Sequence, residues 1–145
     1  MQEECRPLQT ITVTAGVIVN DNKVLIARRS PKENFAGGWE FPGGKLEQGE
    51  TEQECLAREL REELAIDVEV GDLCERVFYD YGTFQVNLLA YYCTIVGGTL
   101  SMTVHDNYKW VEIDRLLEYN LLPADIPIAR KLMERYEAHK SVARG

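Results

Sequence analysis

The chain has 145 residues, 45% apolar and 28% charged, a balance that fits one globular domain with interior enough for a single core. Its formal net charge of -8 disfavours long nucleic acids, whose binding depends on neutralising many phosphates. No apolar run approaches a membrane span and the opening Met1 to Arg6 lacks the order of a signal peptide, so a cytoplasmic protein is expected.

Thr10 to Asn20 is β-branched and partly alternating, and Asp21-Asn22 turns it into a second strand over Lys23 to Arg29, a hairpin. Adjacent Arg28 and Arg29 point to opposite faces of that strand, so one can face a cleft while the other is an edge charge; both can equally be solvated. Lys32 to Gly38 reads as a polar loop, Trp39 to Phe41 as a short strand, and Gly43-Gly44 as a glycine turn that brings backbone close to a ligand.

Thr51 with Glu54 forms a capping box, which starts a helix near Glu52. At about 100° per residue, Leu56, Ala57, Leu60 and Leu64 make one apolar stripe. Glu59, Glu62 and Glu63 border that stripe instead of standing opposite it, and Glu59 with Glu63 is a like-charge pair one turn apart. Something positive should offset them. A hard divalent cation would, since such ions take carboxylates, waters and phosphates, and Glu50 can reach the same ion or orient the helix through Arg58. An ordinary solvated helix face is the alternative for this heptad taken alone.

Beyond the helix, Ile66 to Val70, Cys74 to Tyr81 and Phe84 to Val96 read as strands, with turns at Gly71-Asp72, Gly82-Thr83 and Gly97-Gly98. Their aromatics, Tyr79 and Tyr81 among them, suit core or sheet surface, and one in a cleft could stack on a base. Tyr108 to Ile113 is a further strand, Asp114 to Tyr119 a short helix, and a last helix runs to about His139 with Ile128, Leu132 and Tyr136 on its buried face. Pro127 suits its first turn and Asp125 its N-cap. Strands interleaved with two longer helices predict an α/β sandwich around a mixed sheet, one domain over residues 1–145. Cys5, Cys55, Cys74 and Cys93 lack any Cys-x-x-Cys pair and read as buried apolar residues.

From Gly44 the chain runs five residues to Glu50, seven more to Arg58-Glu59, then Leu60, Arg61, Glu62-Glu63, Leu64, Ala65 and Ile66. This spacing resembles the Nudix box, here over 44–66, and every fixed position matches except its last glycine, which is Ala65. A glycine there supplies a left-handed cap that alanine adopts at a cost of about 1 kcal/mol, a matter of helix exit and not of ligands. Leu25 to Arg29, Trp39 to Lys45 and Leu122 to Pro127 are further similar to the MutT branch, especially its CTP pyrophosphohydrolase relatives.

The resemblance implies a Nudix-type α/β/α sandwich and magnesium-dependent hydrolysis of nucleoside triphosphates, oxidised ones included, to monophosphate and pyrophosphate, with manganese as a substitute ion. Its role would be clearing damaged or surplus nucleotides from the pool that supplies DNA synthesis and repair. It implies the carbonyl of Gly43 with Glu59, Glu62 and Glu63 as metal ligands, Glu50 nearby, and Arg28 or Arg29 with Lys45 against the phosphates. Asp125 falls where the branch reads the base; ionised, it would only accept hydrogen bonds and would select donors such as cytosine N4 or a guanine edge.

A second departure is Val104, where MutT-like chains often carry a glutamate that contributes to metal binding or acts as base; His105 or Asp106 could replace it, or Glu62 or Glu63 act as base, and the alternative is that His105 and Asp106 are simply loop polar residues. A substrate of another nucleoside diphosphate type, or a noncatalytic nucleotide sensor, are the rival readings. The first would be expected to insert a substrate loop, and the second to lose box acids. Monomer and homodimer are both compatible with the sequence.

Overall fold

A computed structural model describes residues 9–33, 35–100 and 107–144, the last six by backbone alone. The long first strand β1, Thr10–Asn20, organises the sheet because its neighbours change along its length. From Thr10 to Ile18 it runs parallel to β6, Gln85–Gly98. On its other side Val13, Thr14 and Ala15 pair antiparallel with Lys45, Gly44 and Gly43 of β4, Gly43–Lys45. Four residues further on, Val19 and Asn20 pair instead with β2, Lys23–Arg28. The short β3, Trp39–Glu40, and β7, Tyr108–Glu112, flank β2, and β5, Ile66–Asp80, closes the far edge beyond β6. The strand order β3-β2-β1-β6-β5 makes a mixed sheet, as expected.

Each face of the sheet carries one helix. On one side Leu56, Leu60 and Leu64 of α1, Glu52–Leu64, pack on Ile18, Leu25, Leu89 and Tyr91. On the other, Ile128 and Leu132 of α2, Ile126–Arg144, pack with Val17, Val24, Ile26 and Leu88, helped by a 3-10 turn over Ile113–Glu118. The apolar stripes read from helical periodicity are thus the two buried faces, and the result is the expected α/β/α sandwich in one domain. Leu60 alone, fully buried, contributes about 2 kcal/mol of apolar burial.

Three glycine-bearing positions differ from their sequence reading as turns. Gly43-Gly44 is strand and not turn; a Cβ on Gly43 would stand 2.0 Å from the Thr14 carbonyl oxygen, so its smallness lets β4 lie against β1. Gly71-Asp72 does not break the chain either: β5 runs through, with register shifts between Val70 and Leu73 and between Leu73 and Glu75 that absorb the extra residues as bulges. Gly97-Gly98 ends β6, with Gly98 at φ 78. The Gly82 hairpin is present, closed by the Tyr81 amide donating to the Phe84 carbonyl at 2.9 Å. Cys55, Cys74 and Cys93 are buried free thiols, whereas Cys5, Val104, His105 and Asp106 lie outside the described residues.

Candidate active site

The capping box forms as read: the Glu54 amide donates to the Thr51 hydroxyl at 3.1 Å and the Thr51 amide to the Glu54 carboxylate at 2.9 Å. At the other end Ala65 takes φ 59, ψ 33, and its amide donates to the Arg61 carbonyl at 3.1 Å. Between these stops α1 turns its acids toward β4. The Glu59 carboxyl fills the space over Gly44, where an added Cβ would stand 2.2 Å from its Cδ. Gly44 is held by Thr14, whose buried hydroxyl donates to its carbonyl at 3.3 Å, and Cys55 Sγ donates to the next carbonyl, of Lys45, at 3.3 Å.

Arg58 supplies the positive charge the acids need. Its Nε meets Glu50 at 2.6 Å, and Nη1 meets Glu62 at 2.7 Å and Glu59 at 3.0 Å. The guanidinium and the Glu47 amide hold the Glu50 carboxyl down, to about 2, and the same bond to Glu50 leads those that raise Arg58. The contact that one of the two roles open to Glu50 requires, its pairing with Arg58, is present. Glu63 differs. It is an exposed residue at the rim, yet its carboxyl dips into the cleft, where desolvation, then the charges of Glu59 and Glu40, push it up to about 7.

Among the described residues no three acidic or other metal-binding side chains converge on one point. Arg58 draws Glu50, Glu59 and Glu62 to itself, whereas Glu63 lies in the cleft beside Glu59 and Glu40. In kind the donors nevertheless fit a hard divalent ion: carboxylates and backbone carbonyls lie around a glycine cradle. The fit is one of donor chemistry.

A cleft opens where β1 exchanges β4 for β2. Its polar end, about 450 Å³, is lined by Arg28, Arg29, Glu40, Gly43, Gly44, Lys45, Glu63 and Tyr108. An adjoining end of about 430 Å³ is lined by Ile11, Phe35, Tyr81, Phe84, Val86 and Leu122. Val13, Arg29, Glu40, Lys45, Leu88 and Asp125 border both, so the two ends are one continuous trough. Arg29 pairs with Glu40 at 3.2 Å and with Glu33 at 3.6 Å, and Arg28 lies over the Trp39 ring at 5.5 Å. Burial raises the Glu40 carboxyl despite Arg29.

Asp125 is buried at the junction, 4% exposed. Its Oδ1 accepts from the Phe41 amide at 3.0 Å, 84 residues away in sequence, so it ties β3 to the 3-10 turn Pro123–Asp125 rather than capping its own helix. Desolvation pushes its carboxyl up to about 8, against the Phe41 bond. Desolvation thus favours the neutral form of this carboxyl, which offers a donor beside its acceptor. Tyr81 lines the trough, its hydroxyl accepting from the Ala124 amide at 3.1 Å and its ring stacked on Phe84 at 5.3 Å. Tyr79 stands behind it, rings 4.6 Å apart, as support for Tyr81 and not as trough wall.

Phe84 lines the trough as one of the strand-pair aromatics; Glu40, Phe35 and Tyr108 are lining residues that the sequence reading left out. Glu40 had a signal, one acid in an otherwise aromatic strand, and the others had none stronger than their aromaticity. Tyr108 is half-buried with its hydroxyl near Glu63, Glu33 and Glu40, whose charges, after burial, push it up to about 12.

The family model of the NUDIX domain matches residues 10–136. The chain is 36% identical over 126 residues to the CTP pyrophosphohydrolase of Escherichia coli, covering 87% of this chain and 93% of that protein. It is 40% identical over 114 residues to a putative 8-oxo-dGTP diphosphatase of Mycobacterium tuberculosis, covering 78% and 81%. Among solved structures it superposes on a MutT protein of methicillin-resistant Staphylococcus aureus with TM-score 0.73 at 40% identity, covering 89% of this chain and 99% of that one.

Proposed function

This chain belongs to the Nudix family, a hydrolase acting on acid anhydrides, and we propose that it is a magnesium-dependent nucleoside triphosphate pyrophosphohydrolase. Ribo- or deoxyribonucleoside triphosphates, oxidised ones included, would yield the monophosphate and pyrophosphate. The observation that carries this reading is the single trough with an acid- and arginine-lined end joined to an aromatic end. A phosphate chain and a planar base need those two surfaces side by side. The names of the E. coli and M. tuberculosis relatives support the same substrate class.

Glu59, Glu62 and Glu63 with the Gly43 carbonyl would hold magnesium, or manganese in its place, and the ion supplies charge neutralisation to the phosphates. Arg29 and Lys45 counter the remaining phosphate charge, with Arg28 at the rim. Glu50 acts through Arg58, keeping the acid-bearing turn of α1 in register with the loop before it. Of Glu62 and Glu63, the candidate general bases, Glu63 is the one that lines the cleft. Water loses its proton to Glu63 as its oxygen attacks phosphorus, and pyrophosphate leaves. At the other end Tyr81 and Phe84 face the base while Asp125 reads its edge. A neutral Asp125 can pair with an edge that offers both an acceptor and a donor, as cytosine N3 with N4 or an oxidised purine does.

Incubation of the protein with magnesium and a panel containing CTP, dCTP, dGTP and 8-oxo-dGTP tests the reading by product identity. Monophosphate and pyrophosphate are expected in equal amounts. Orthophosphate as sole phosphate product, or no turnover on any member, overturns it.

A further inference from the structure

Phe35 has a conformation and an exposure that folding alone does not explain. It sits at φ 60, the left-handed region that costs a residue with a Cβ roughly 1 kcal/mol or more, and it is 44% exposed. Strain and an exposed aromatic ring both work against it, so the native fold gains little from this side chain. The loop nevertheless holds it firmly. The Gly38 amide donates to the Phe35 carbonyl at 3.0 Å, the Gly37 amide to the Arg29 carbonyl at 3.1 Å, and the Arg29 amide to the Gly38 carbonyl at 2.9 Å. Gly38 is wedged against Leu122, where an added Cβ would meet its Cδ2 at 2.7 Å. These contacts aim the ring across the aromatic end of the trough, 5.0 Å from Tyr81 and tilted 46° to it. Tyr81 in turn stacks on Phe84, ring centroids 5.3 Å apart.

We propose that Phe35 is a substrate-contacting residue, the outer wall of a slot that takes a planar base and so favours nucleotides over pyrophosphates lacking one. The inference rests on the nucleotide reading above and adds to it the residue that grips the base from the solvent side. Phe35 lines the trough and stays partly exposed there, and stacking on a base contributes on the order of 1 to 3 kcal/mol, or about five- to 150-fold in affinity.

Glycine substitution separates the two roles Phe35 could have, because Phe35→Gly removes the strain along with the ring. The dissociation constant for an α,β-methylene nucleoside triphosphate and the KM for the best substrate are expected to rise about tenfold, with the melting temperature unchanged or higher. Phe35→Leu, which keeps apolar cover but has no ring face, should lose affinity in the same way, and Phe35→Tyr should restore it. Unchanged nucleotide affinity in the glycine variant, or wild-type affinity in the leucine variant, overturns the proposal. A wild-type protein that binds no nucleotide overturns the functional reading as well, which tells the two failures apart.

Discussion

Single side chains in this site are held in states they would not choose in water, and Asp125 is the clearest. Its carboxyl goes up to about 8 in the fold against an ordinary value of 3.8. Between those values the folded protein keeps a proton the unfolded chain has lost, so the contribution of Asp125 to stability is complete below pH 4. It falls as pH rises toward 8, by at most about 1.4 kcal/mol per pH unit. Asp125→Asn keeps an oxygen for the Phe41 amide and cannot titrate. Denaturant melts of both proteins at pH 5 and pH 7.5 should show the wild type losing stability relative to the variant at the higher pH; a constant difference would mean that Asp125 is ionised throughout. The two glycines of β4 make a matched pair at the same scale. Gly43→Ala drives a methyl into backbone, 2.0 Å from the Thr14 oxygen, and should lower the melting temperature, whereas Gly44→Ala meets the movable end of Glu59. The second variant should stay folded and lose turnover by about tenfold or more, as misplaced catalytic groups do. Equal loss of stability in both would show that Glu59 cannot move aside.

Among the elements, α1 carries the clearest sequence signals, and its two ends behave differently. The capping box at Thr51 and Glu54 satisfies orphaned amides, so Thr51→Ala should cost about 1 kcal/mol. The exit is where the chain departs from the Nudix pattern. Ala65 is exposed and occupies the left-handed region at φ 59, so Ala65→Gly removes a steric cost and should stabilise by roughly 1 kcal/mol with turnover unchanged. A melting temperature that stays put or drops would mean that the cap is relieved some other way. Elements whose identity lay in local chemistry, the capping box, the leucine stripe and the Gly82 hairpin, were legible from sequence. Glycine pairs were not, because the same residue serves a turn and a close approach. What decides for Gly43-Gly44 is Thr14 passing alongside, 29 or more positions away, and for Gly71-Asp72 a partner strand long enough to take up bulges. Arg58 is legible from sequence as the partner through which Glu50 could orient the helix and, by i,i+4 spacing, as a partner of Glu62; that it gathers Glu47 and Glu50 from the preceding loop as well depends on where that loop returns.

At the scale of the molecule, the trough exists because β1 changes partners between Ala15 and Val19, leaving a wedge into which α1, the loop around Phe35 and the turn at Asp125 each send side chains. Segments far apart in sequence are thus tied at one place, so a ligand there should stabilise the whole fold by mass action. Magnesium without nucleotide tests this on the acid end alone. For an ion at ten times its dissociation constant the gain is about 1.4 kcal/mol, or ~3 °C or more in melting temperature for a chain of this size. An ion held by these acids would compete with Arg58 for Glu59 and Glu62, whereas Glu63 stands beside Glu59 and Glu40 with no bond to Arg58 among the described contacts. Glu63→Gln should therefore shrink the magnesium-induced shift and lower turnover by about a hundredfold or more, with the metal-free melting temperature held or raised because a strained like-charge contact is gone. A full magnesium shift and full turnover in that variant would remove Glu63 from the site. Undiminished turnover of the wild type in excess chelator would remove the ion itself, and Arg58 would then be the resident counter-charge of the acids.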